Sequence, residues 1–377
     1  CREYALNQVE RQKKDFKRLG ILGDWENPYL TSNKEFEAST LKALEKIYNN
    51  GHLQKGFKPV HWCVKIQSAL AEAEVEYQEK ESIAIDVKFE VSSLDHVKKI
   101  FNLKNINEKV FIVIWTTTPW TLPSNKSIAI KSDLNYVLVS SKKESYIVAE
   151  NLFEKFRERT GLDLSITAKC TGEKLVNLGA QHPFIDNKLS IISGEHVTDD
   201  SGTGCVHIAP AHGVEDFELG KKNNLEVLNP IQSDGIFSGL PEELNGIHVY
   251  KLDEHIIEIL VREKKLLSSN KFKHSYPHCW RTKTPLIYRA TPQWFISMQK
   301  NSLLEKTLKK IPEVHWIPAW GEARIEGMIS QRPDWCISRQ RKWGVPITLL
   351  INKKTGEPHS NSSIIFTRIC KLVEEHG

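Results

Sequence analysis

The middle of the chain, from about residue 77 to residue 276, is built from short runs of β-branched and apolar residues separated by turn residues. Such runs predict strands. In chain order they are SIAIDVKFEV, KVFIVIW, SIAI, YVLVSS, SYIVAE, LSIISG and GCVHIA. Two stretches have a helical period: NLFEKFRERTG lies among these runs, and LDEHIIEILVREKKLL follows the last of them. We therefore predict a β-rich domain with a few helices over residues 77–276.

The two ends of the chain have a different pattern. NKEFEASTLKALEKIYNNG predicts a helix and KPVHWCVKI a strand; beyond residue 276, NSLLEKTLKKIP and WGEARIEGMISQ predict helices, and GVPITLLIN predicts a strand before a C-terminal helix. A chain of 377 residues is too long for one ordinary core. The simplest architecture is a mixed α/β chain in which the central domain is inserted between a flank at 1–76 and a flank at 277–377.

Composition excludes some classes of protein. No apolar run is long enough to cross a membrane, and the charged opening segment does not resemble a secretion signal. Seven scattered cysteines are typical of reduced thiols. We expect a cytoplasmic protein without membrane contact, and the missing initiator methionine suggests a piece of a longer chain. A net charge of +5 permits a nucleic-acid partner without requiring one.

The stretch WTTTPWTLPSN, residues 115–125, follows an apolar strand and offers hydroxyl and amide groups without charge. Binding loops often lie at strand ends, and the two prolines restrict the backbone. This lining suits ribose hydroxyls, phosphates or an ester carbonyl. Taken alone, the motif slightly favours the alternative, a strand end whose threonines only cap the local backbone.

A second stretch, GTGCVHIAPAHGVEDF at residues 202–217, carries two histidines and two carboxylates. His207 falls within a predicted strand, and Asp216 falls in the first turn of a predicted helix that starts near Val214. The spacing His-x4-His-x3-Asp differs from the His-Glu-x-x-His pattern that places two imidazoles on one helical face. A metal site, a histidine–aspartate acid–base pair and a substrate-binding pocket all stay open on these residues alone.

Taken together, these two stretches resemble the inserted editing domain of class I aminoacyl-tRNA synthetases, and within that class the isoleucyl-tRNA synthetases of bacterial type. Six flanking segments are similar to segments of the same synthetases in the same order. They are GDWENPYLT, KPVHWC, SALAEAEVEY, SYPHCW, RATPQWF and RPDWCISRQRKWGVPI. The resemblance covers nearly the whole chain. It implies that the inserted domain is β-barrel-like with peripheral helices and that the flanks belong to a Rossmann-type catalytic domain.

The resemblance also implies roles for individual residues. Asp216 would hold the α-ammonium of a wrongly attached amino acid, and His207 would line the side-chain pocket and help to exclude isoleucine. Water would be the nucleophile, with backbone amides near the glycines stabilising the oxyanion. The predicted catalytic residues are Asp216, Thr117, Thr118 and His207, and the predicted substrate-binding residues are Thr116, Thr121, Asn125, Gly204 and His212.

The implied substrate is tRNA(Ile) charged with valine. A pocket that fits isoleucine rejects valine weakly, because the missing methylene is worth only about 1–3 kcal/mol, a value established on isoleucyl-tRNA synthetases themselves. Neither the His-x-Gly-His nor the Lys-Met-Ser-Lys-Ser signature of ATP activation occurs in the chain. We therefore expect no cofactor for this segment, with ATP and Mg serving a longer protein, which we expect to be monomeric.

Some members of this family carry paired Cys-x-x-Cys motifs near the base of the insertion. Here each motif keeps only its first cysteine, Cys63 or Cys279. Ile66 and Thr282 stand where the second cysteine of each motif would be. Two thiolates, even with His278, substitute poorly for four, so we predict no bound zinc.

The basic run SRQRKW contains Arg339, Arg341 and Lys342, which could neutralise tRNA phosphates or form a solvated turn. Three functions follow as hypotheses. The leading one is an esterase that acts on Val-tRNA(Ile), the second is a non-catalytic tRNA-docking module, and the third is a metallohydrolase built on His207, His212 and Asp216.

Overall fold

The computed structural model describes residues 1–106 and 109–377. Contacts within the chain divide it into two units: residues 57–292 form one, and residues 1–56 together with 293–377 form the other. The central unit is thus wider than the predicted 77–276. Part of the difference arises because strand pairing continues past both predicted boundaries, to Val75 on one strand and Cys279 on its partner.

In chain order the helices are α1 (Arg2–Arg18), α2 (Lys34–Asn49), α3 (Leu94–Phe101), α4 (Phe153–Thr160), α5 (Val214–Lys222), α6 (Val249–Arg262), α7 (Leu303–Lys310), α8 (Trp320–Ser330) and α9 (Ser362–His376). The strands are β1 (Leu53–Cys63), β2 (Ser68–Leu70), β3 (Val75–Val91), β4 (Lys109–Thr116), β5 (Ser127–Ile130), β6 (Asn135–Ser140), β7 (Glu144–Ala149), β8 (Ser165–Thr171), β9 (Gly179–Gln181), β10 (Lys188–Ser193), β11 (Val206–Ile208), β12 (Leu266–Cys279), β13 (Ile287–Ile296) and β14 (Trp335–Cys336). The prediction of a mixed α/β chain with a strand-rich centre is confirmed.

The central unit is organised around one large sheet. Its hydrogen-bonded order is β11-β5-β10-β9-β3-β4-β7-β6-β8, and β12 pairs with the long strand β3. The β5–β10 and β4–β7 pairs are parallel, whereas β3 is antiparallel to β4, β9 and β12. The edge strand β11 contacts β4, which is not its neighbour in this order, and this contact shows that the sheet is curled. This curvature brings the ends of β4 and β11 towards each other.

Burial explains why these strands form. In β4 and β6 consecutive apolar residues are buried, which is typical of strands covered on both faces. Helix α4 covers one face with Phe153 and Phe156. These two side chains pack with residues of β4, β6 and β7, namely Phe111, Val113, Val137, Val139, Tyr146 and Val148. A second cluster joins β5, β10, β11 and α5 through Ala129, Ile192, Ile208 and Leu219. This second cluster fixes helix α5 against the strand that carries His207.

The other unit contains the helix pair α2 and α9, which pack through Leu41, Phe366 and Cys370. The predicted strand GVPITLLIN is wrong: residues 344–350 have no regular structure, and only Ile351 forms an isolated bridge, with Pro358. Val345 and Leu349 instead pack against the helix pair, which partly buries their apolar side chains without a sheet.

In the central unit, the predicted helix LDEHIIEILVREKKLL ends early, at Arg262, and β12 begins at Leu266. Among the described residues, no helix is both long and apolar enough to cross a membrane.

Candidate active site

The threonine-rich stretch forms a compact turn, which we call the threonine turn (residues 116–125). Strand β4 ends at Thr116, and a 3₁₀ segment follows over Pro119–Ser124. The Thr116 hydroxyl accepts the Thr118 backbone N–H at 3.1 Å, and the Thr121 hydroxyl donates to the Thr118 carbonyl at 2.8 Å. Thr116 and Thr121 are buried, whereas Thr117 and Thr118 are half-buried at the surface of the turn.

Two buried histidines form hydrogen bonds with the end of the threonine turn. His182 Nε2 donates to the Leu122 carbonyl at 2.9 Å. His212 Nδ1 donates to the Tyr288 carbonyl at 3.0 Å, which leaves Nε2 to accept from the Ser124 hydroxyl, also at 3.0 Å. Because both ring nitrogens of His212 have protein partners, this predicted substrate-binding residue positions the turn. Burial lowers the pKa of each ring to about 4.

His207, on β11, contacts the same turn from the neighbouring strand. Its Nε2 lies 3.0 Å from the Thr121 hydroxyl. That hydroxyl has one proton and donates it to a carbonyl, so His207 Nε2 must be the donor in this pair. His207 Nδ1 then carries a lone pair, and this buried atom has no hydrogen-bond partner among the described residues. Burial and the nearby His182 and His212 lower the pKa of His207 to about 4, so the ring is neutral at pH 7.

Asn125 closes the turn and presents a second open acceptor. The side chain is buried, and its Nδ2 donates to the Ser127 carbonyl at 3.0 Å. The amide oxygen Oδ1 is buried without a hydrogen-bond partner in the described part of the chain. Buried acceptors without partners are uncommon in proteins, and each calls for a donor from water or a ligand.

Asp216 lies in the first turn of α5, as predicted, and is held beside the end of β11. Its Oδ2 accepts the Ala209 backbone N–H at 2.9 Å. Close packing fixes the helix here, because a Cβ on Gly220 would lie 2.8 Å from the Pro210 ring. Burial raises the pKa of the half-buried Asp216 carboxyl, while the Ala209 N–H opposes that shift. A desolvated carboxylate of this kind favours a cationic partner.

Gly204 lies in the loop that enters β11. Its φ is +73°, and a Cβ would lie 2.3 Å from the Ala149 Cβ, so both the backbone and the space require glycine. The Tyr136 hydroxyl donates to the Gly204 carbonyl at 2.7 Å. Burial raises the pKa of the adjacent Cys205 thiol, which therefore stays protonated and makes a poor nucleophile.

The remaining predicted residues belong to the basic run at 338–343. Arg339, Arg341 and Lys342 belong to the unit that contains both chain ends; Arg341 and Lys342 are exposed, while Arg339 donates to the Cys336 and Ser338 carbonyls. Their role in tRNA binding stays a prediction.

At the base of the central unit, Cys63 and Cys279 are buried in one apolar cluster. The Cys63 thiol lies 3.4 Å from the Thr282 hydroxyl, and His278 Nδ1 donates to the Tyr276 carbonyl at 2.8 Å. Over residues 1–106 and 109–377, no three side chains of metal-binding type are grouped to hold an ion. The expectation of no zinc stays a prediction.

Sequence reasoning missed two residues of the site. His182 was not singled out because it lies in a loop remote from both motifs. Asp253 of α6 accepts the Trp120 backbone N–H at 2.9 Å across 133 positions of sequence. Neither contact has a local signal in the sequence, since both depend on how the sheet folds.

Comparison with known proteins agrees with these observations. A family model described as tRNA synthetases class I (I, L, M and V) matches residues 1–376. The chain is 53% identical over 378 residues to isoleucine–tRNA ligases of Francisella tularensis subsp. mediasiatica and subsp. novicida, covering 100% of this chain and 40% of each relative. It therefore spans about two-fifths of the length of these relatives.

Two solved structures are also similar. The crystal structure of GlLeuRS-CP1 matches with a TM-score of 0.43 at 14% identity, over 50% of this chain and 98% of its own. The Plasmodium knowlesi cytosolic leucyl-tRNA synthetase editing domain matches with a TM-score of 0.40 at 15% identity, over 55% and 98%. From the match of the family model along almost its whole length, the chain belongs to the class I tRNA synthetases of the I, L, M and V group.

Proposed function

We propose that the central unit, residues 57–292, hydrolyses the ester bond of tRNA(Ile) wrongly charged with valine. The longer protein would be an isoleucine–tRNA ligase that joins isoleucine to tRNA(Ile) with ATP and Mg. In the hydrolysis, water attacks the ester carbonyl carbon, the bond from that carbon to the ribose oxygen breaks, and the ribose oxygen takes a proton. Valine and tRNA(Ile) are the products.

The observation that carries this proposal is the set of acceptors around the threonine turn. Among the described residues, His207 Nδ1 and Asn125 Oδ1 are buried acceptors that no donor reaches, and Asp216 adds a half-buried carboxylate. A ligand that satisfies them must bring hydrogen-bond donors and a positive charge. An aminoacylated ribose has both, namely a free hydroxyl and an α-ammonium.

Asp216 is the proposed partner of the ammonium. Its Oδ2 is fixed by the Ala209 N–H, so the carboxyl plane is set before the ligand arrives. A hydrogen bond between an ammonium and a carboxylate is stronger than a neutral one, most of all where water is excluded. Loss of this pair is expected to weaken binding of the substrate and its transition state together.

His207 is the proposed boundary of the side-chain pocket and an acceptor for water. The ring is neutral, and its donor nitrogen is occupied by Thr121, so Nδ1 is the atom free to orient the attacking water. Thr117 and Thr118, the half-buried threonines of the turn, are proposed to contact the ester and the ribose. A rigid pocket wall discriminates by size, because overpacking by one methylene costs about 1–3 kcal/mol.

The test is deacylation of Val-tRNA(Ile) and Ile-tRNA(Ile) by the 377-residue chain, with Asp216→Ala as the loss variant. Glu215→Ala is the matched control, since Glu215 is the exposed carboxylate next in the sequence. We expect valine release by the unsubstituted chain and the control, about a hundredfold less by Asp216→Ala, and little isoleucine release by any of them.

Other results would point elsewhere. Equal release of both amino acids, or full activity of Asp216→Ala, contradicts the proposal. Binding of tRNA without any hydrolysis favours a docking module, and loss of hydrolysis on adding a chelator favours a metallohydrolase. The proposed partner is the 3′ end of tRNA(Ile). The protein is proposed to act as a monomer in the cytoplasm, and Arg341 and Lys342 are proposed to contact tRNA phosphates.

A further inference from the structure

The threonine turn has one contact that neither motif supplies. Trp120, the second residue of its 3₁₀ segment, is fixed at two points: its ring lies edge-on to His212 with 4.9 Å between centroids, and its backbone N–H donates to Asp253 Oδ1 at 2.9 Å. The first N–H groups of a helical turn have no partner within the turn. Asp253, half-buried on helix α6, thus acts as a cap provided by a distant element.

The groups facing Asp253 come from three elements. Lys80 of β3 attracts it, and the Lys80 ammonium itself lies 4.1 Å from the centre of the Tyr276 ring of β12. Glu254, next to it on α6, repels it, and the Tyr276 hydroxyl is held neutral by burial. Lys80 therefore interacts with both a carboxylate and an aromatic ring, and the effect of burial on the Asp253 carboxyl outweighs the attraction of Lys80. As a result the pKa of Asp253 is raised to about 6.

We propose that Asp253 is a positioning residue for the threonine turn, and that its hold on Trp120 weakens when its carboxyl takes up a proton. The inference rests on the hydrolysis proposed above. A charged acceptor makes a hydrogen bond roughly twice as strong as a neutral one. Acidification to about pH 6 would therefore loosen the turn that carries Thr117 and Thr118 at a pH where the chain is still folded.

The first measurement reads the contact itself and needs no activity. Selective ¹⁵N labelling of tryptophan reduces the amide spectrum to the 10 tryptophans of the chain. The Trp120 backbone signal is identified by its absence from Trp120→Phe. We expect this signal to move as the pH passes through about 6, the pKa of Asp253, and to stop responding in Asp253→Asn.

The second measurement is hydrolysis of Val-tRNA(Ile) between pH 5.5 and 8, with each variant compared with the unsubstituted chain at the same pH. Asparagine mimics the protonated carboxyl, so Asp253→Asn should be about threefold slower at pH 8 and less than about twofold slower at pH 5.5, where most of the Asp253 carboxyl carries a proton. Asp253→Ala removes the acceptor and should be about tenfold slower or worse at pH 8. Glu254→Gln, the exposed neighbour, should match the unsubstituted chain at pH 8.

The outcomes separate this inference from the proposed function. A Trp120 signal that ignores pH, or a constant ratio of Asp253→Asn to unsubstituted rates, overturns the role of Asp253 even when hydrolysis is strong. A Trp120 signal that titrates, with the ratio changing as described, supports it. If the unsubstituted chain releases no valine, the proposed function fails and the catalytic half of this inference fails with it. Circular dichroism of Asp253→Ala and Asp253→Asn checks that both fold.

Discussion

The histidines that hold the threonine turn predict a steep loss of stability in mild acid. His182, His207 and His212 are buried and neutral, and burial lowers the pKa of each to about 4. Each titrates near pH 6.5 once unfolded. The unfolded chain therefore binds protons that the folded chain does not, and stability is complete above pH 6.5 and falls as the pH drops towards 4.

The size of the effect follows from these pKa values. At pH 5 each histidine lowers the free energy of unfolding by about 2 kcal/mol relative to pH 7.5, so the three together cost about 6 kcal/mol. Asp253 acts in the opposite direction, because its raised pKa of about 6 makes the folded chain bind a proton more tightly. That gain is about 1 kcal/mol at pH 5, and the raised pKa of Asp216 adds in the same sense. The effect of the histidines exceeds that of the carboxyls. The net loss in the free energy of unfolding is comparable to the whole stability of a typical domain, about 5–15 kcal/mol.

Equilibrium urea unfolding at a series of pH values, followed by circular dichroism, measures this loss. Between pH 5 and 6 we expect a slope of several kcal/mol per pH unit, and His182→Gln should reduce it by about 1 kcal/mol per pH unit. His96→Gln, in the same unit but exposed on α3, is the control and should leave the slope unchanged. A stability that does not change between pH 7.5 and 5, or an unaltered slope in His182→Gln, would refute the reasoning.

Further predictions concern the supports of the site. Gly204→Ala should destabilise the chain by about 3 kcal/mol in urea unfolding, because backbone strain and overpacking add. Gly246→Ala, with φ of +83° and no atom within 4 Å of the new Cβ, should lose only about 1 kcal/mol. Similar losses in the two variants would disprove the steric argument. Arg159→Gln should cost about 3–5 kcal/mol, since it leaves the fully buried Asp86 without the paired guanidinium at 2.6 and 2.7 Å. Arg262→Gln, which breaks a surface ion pair, should show no measurable change in the same assay, and equal effects of the two arginine variants would contradict the role of burial.

The sequence predicts the class of fold well because its strands are long apolar runs. KVFIVIW and YVLVSS have no competing helical period, and both become buried strands. β12 was missed because NKFKHSYPH is polar or aromatic on both faces, and it becomes a strand only through its register with β3, such as Phe272 opposite Ser82. Tertiary pairing therefore overrides a weak local preference here.

The candidate site divides in the same way. The glycines, the strand at His207 and the helix at Asp216 follow from local sequence rules. The contacts of Asp253 and His182 with the threonine turn join segments far apart in the sequence, and only the folded sheet brings them together. The hydrogen-bond state of His207 likewise depends on which group the Thr121 hydroxyl donates to.

The central claim is that one carboxylate binds the amino group of the wrongly attached residue while a small pocket receives its side chain. It is tested most directly by a crystal structure of this chain with a non-hydrolysable valyl-adenosine analogue. We predict the ligand ammonium about 3 Å from the Asp216 carboxylate, the valine side chain against His207, and the ribose at the threonine turn. A ligand bound elsewhere, or an Asp216 carboxylate that faces solvent with the analogue present, would contradict the account.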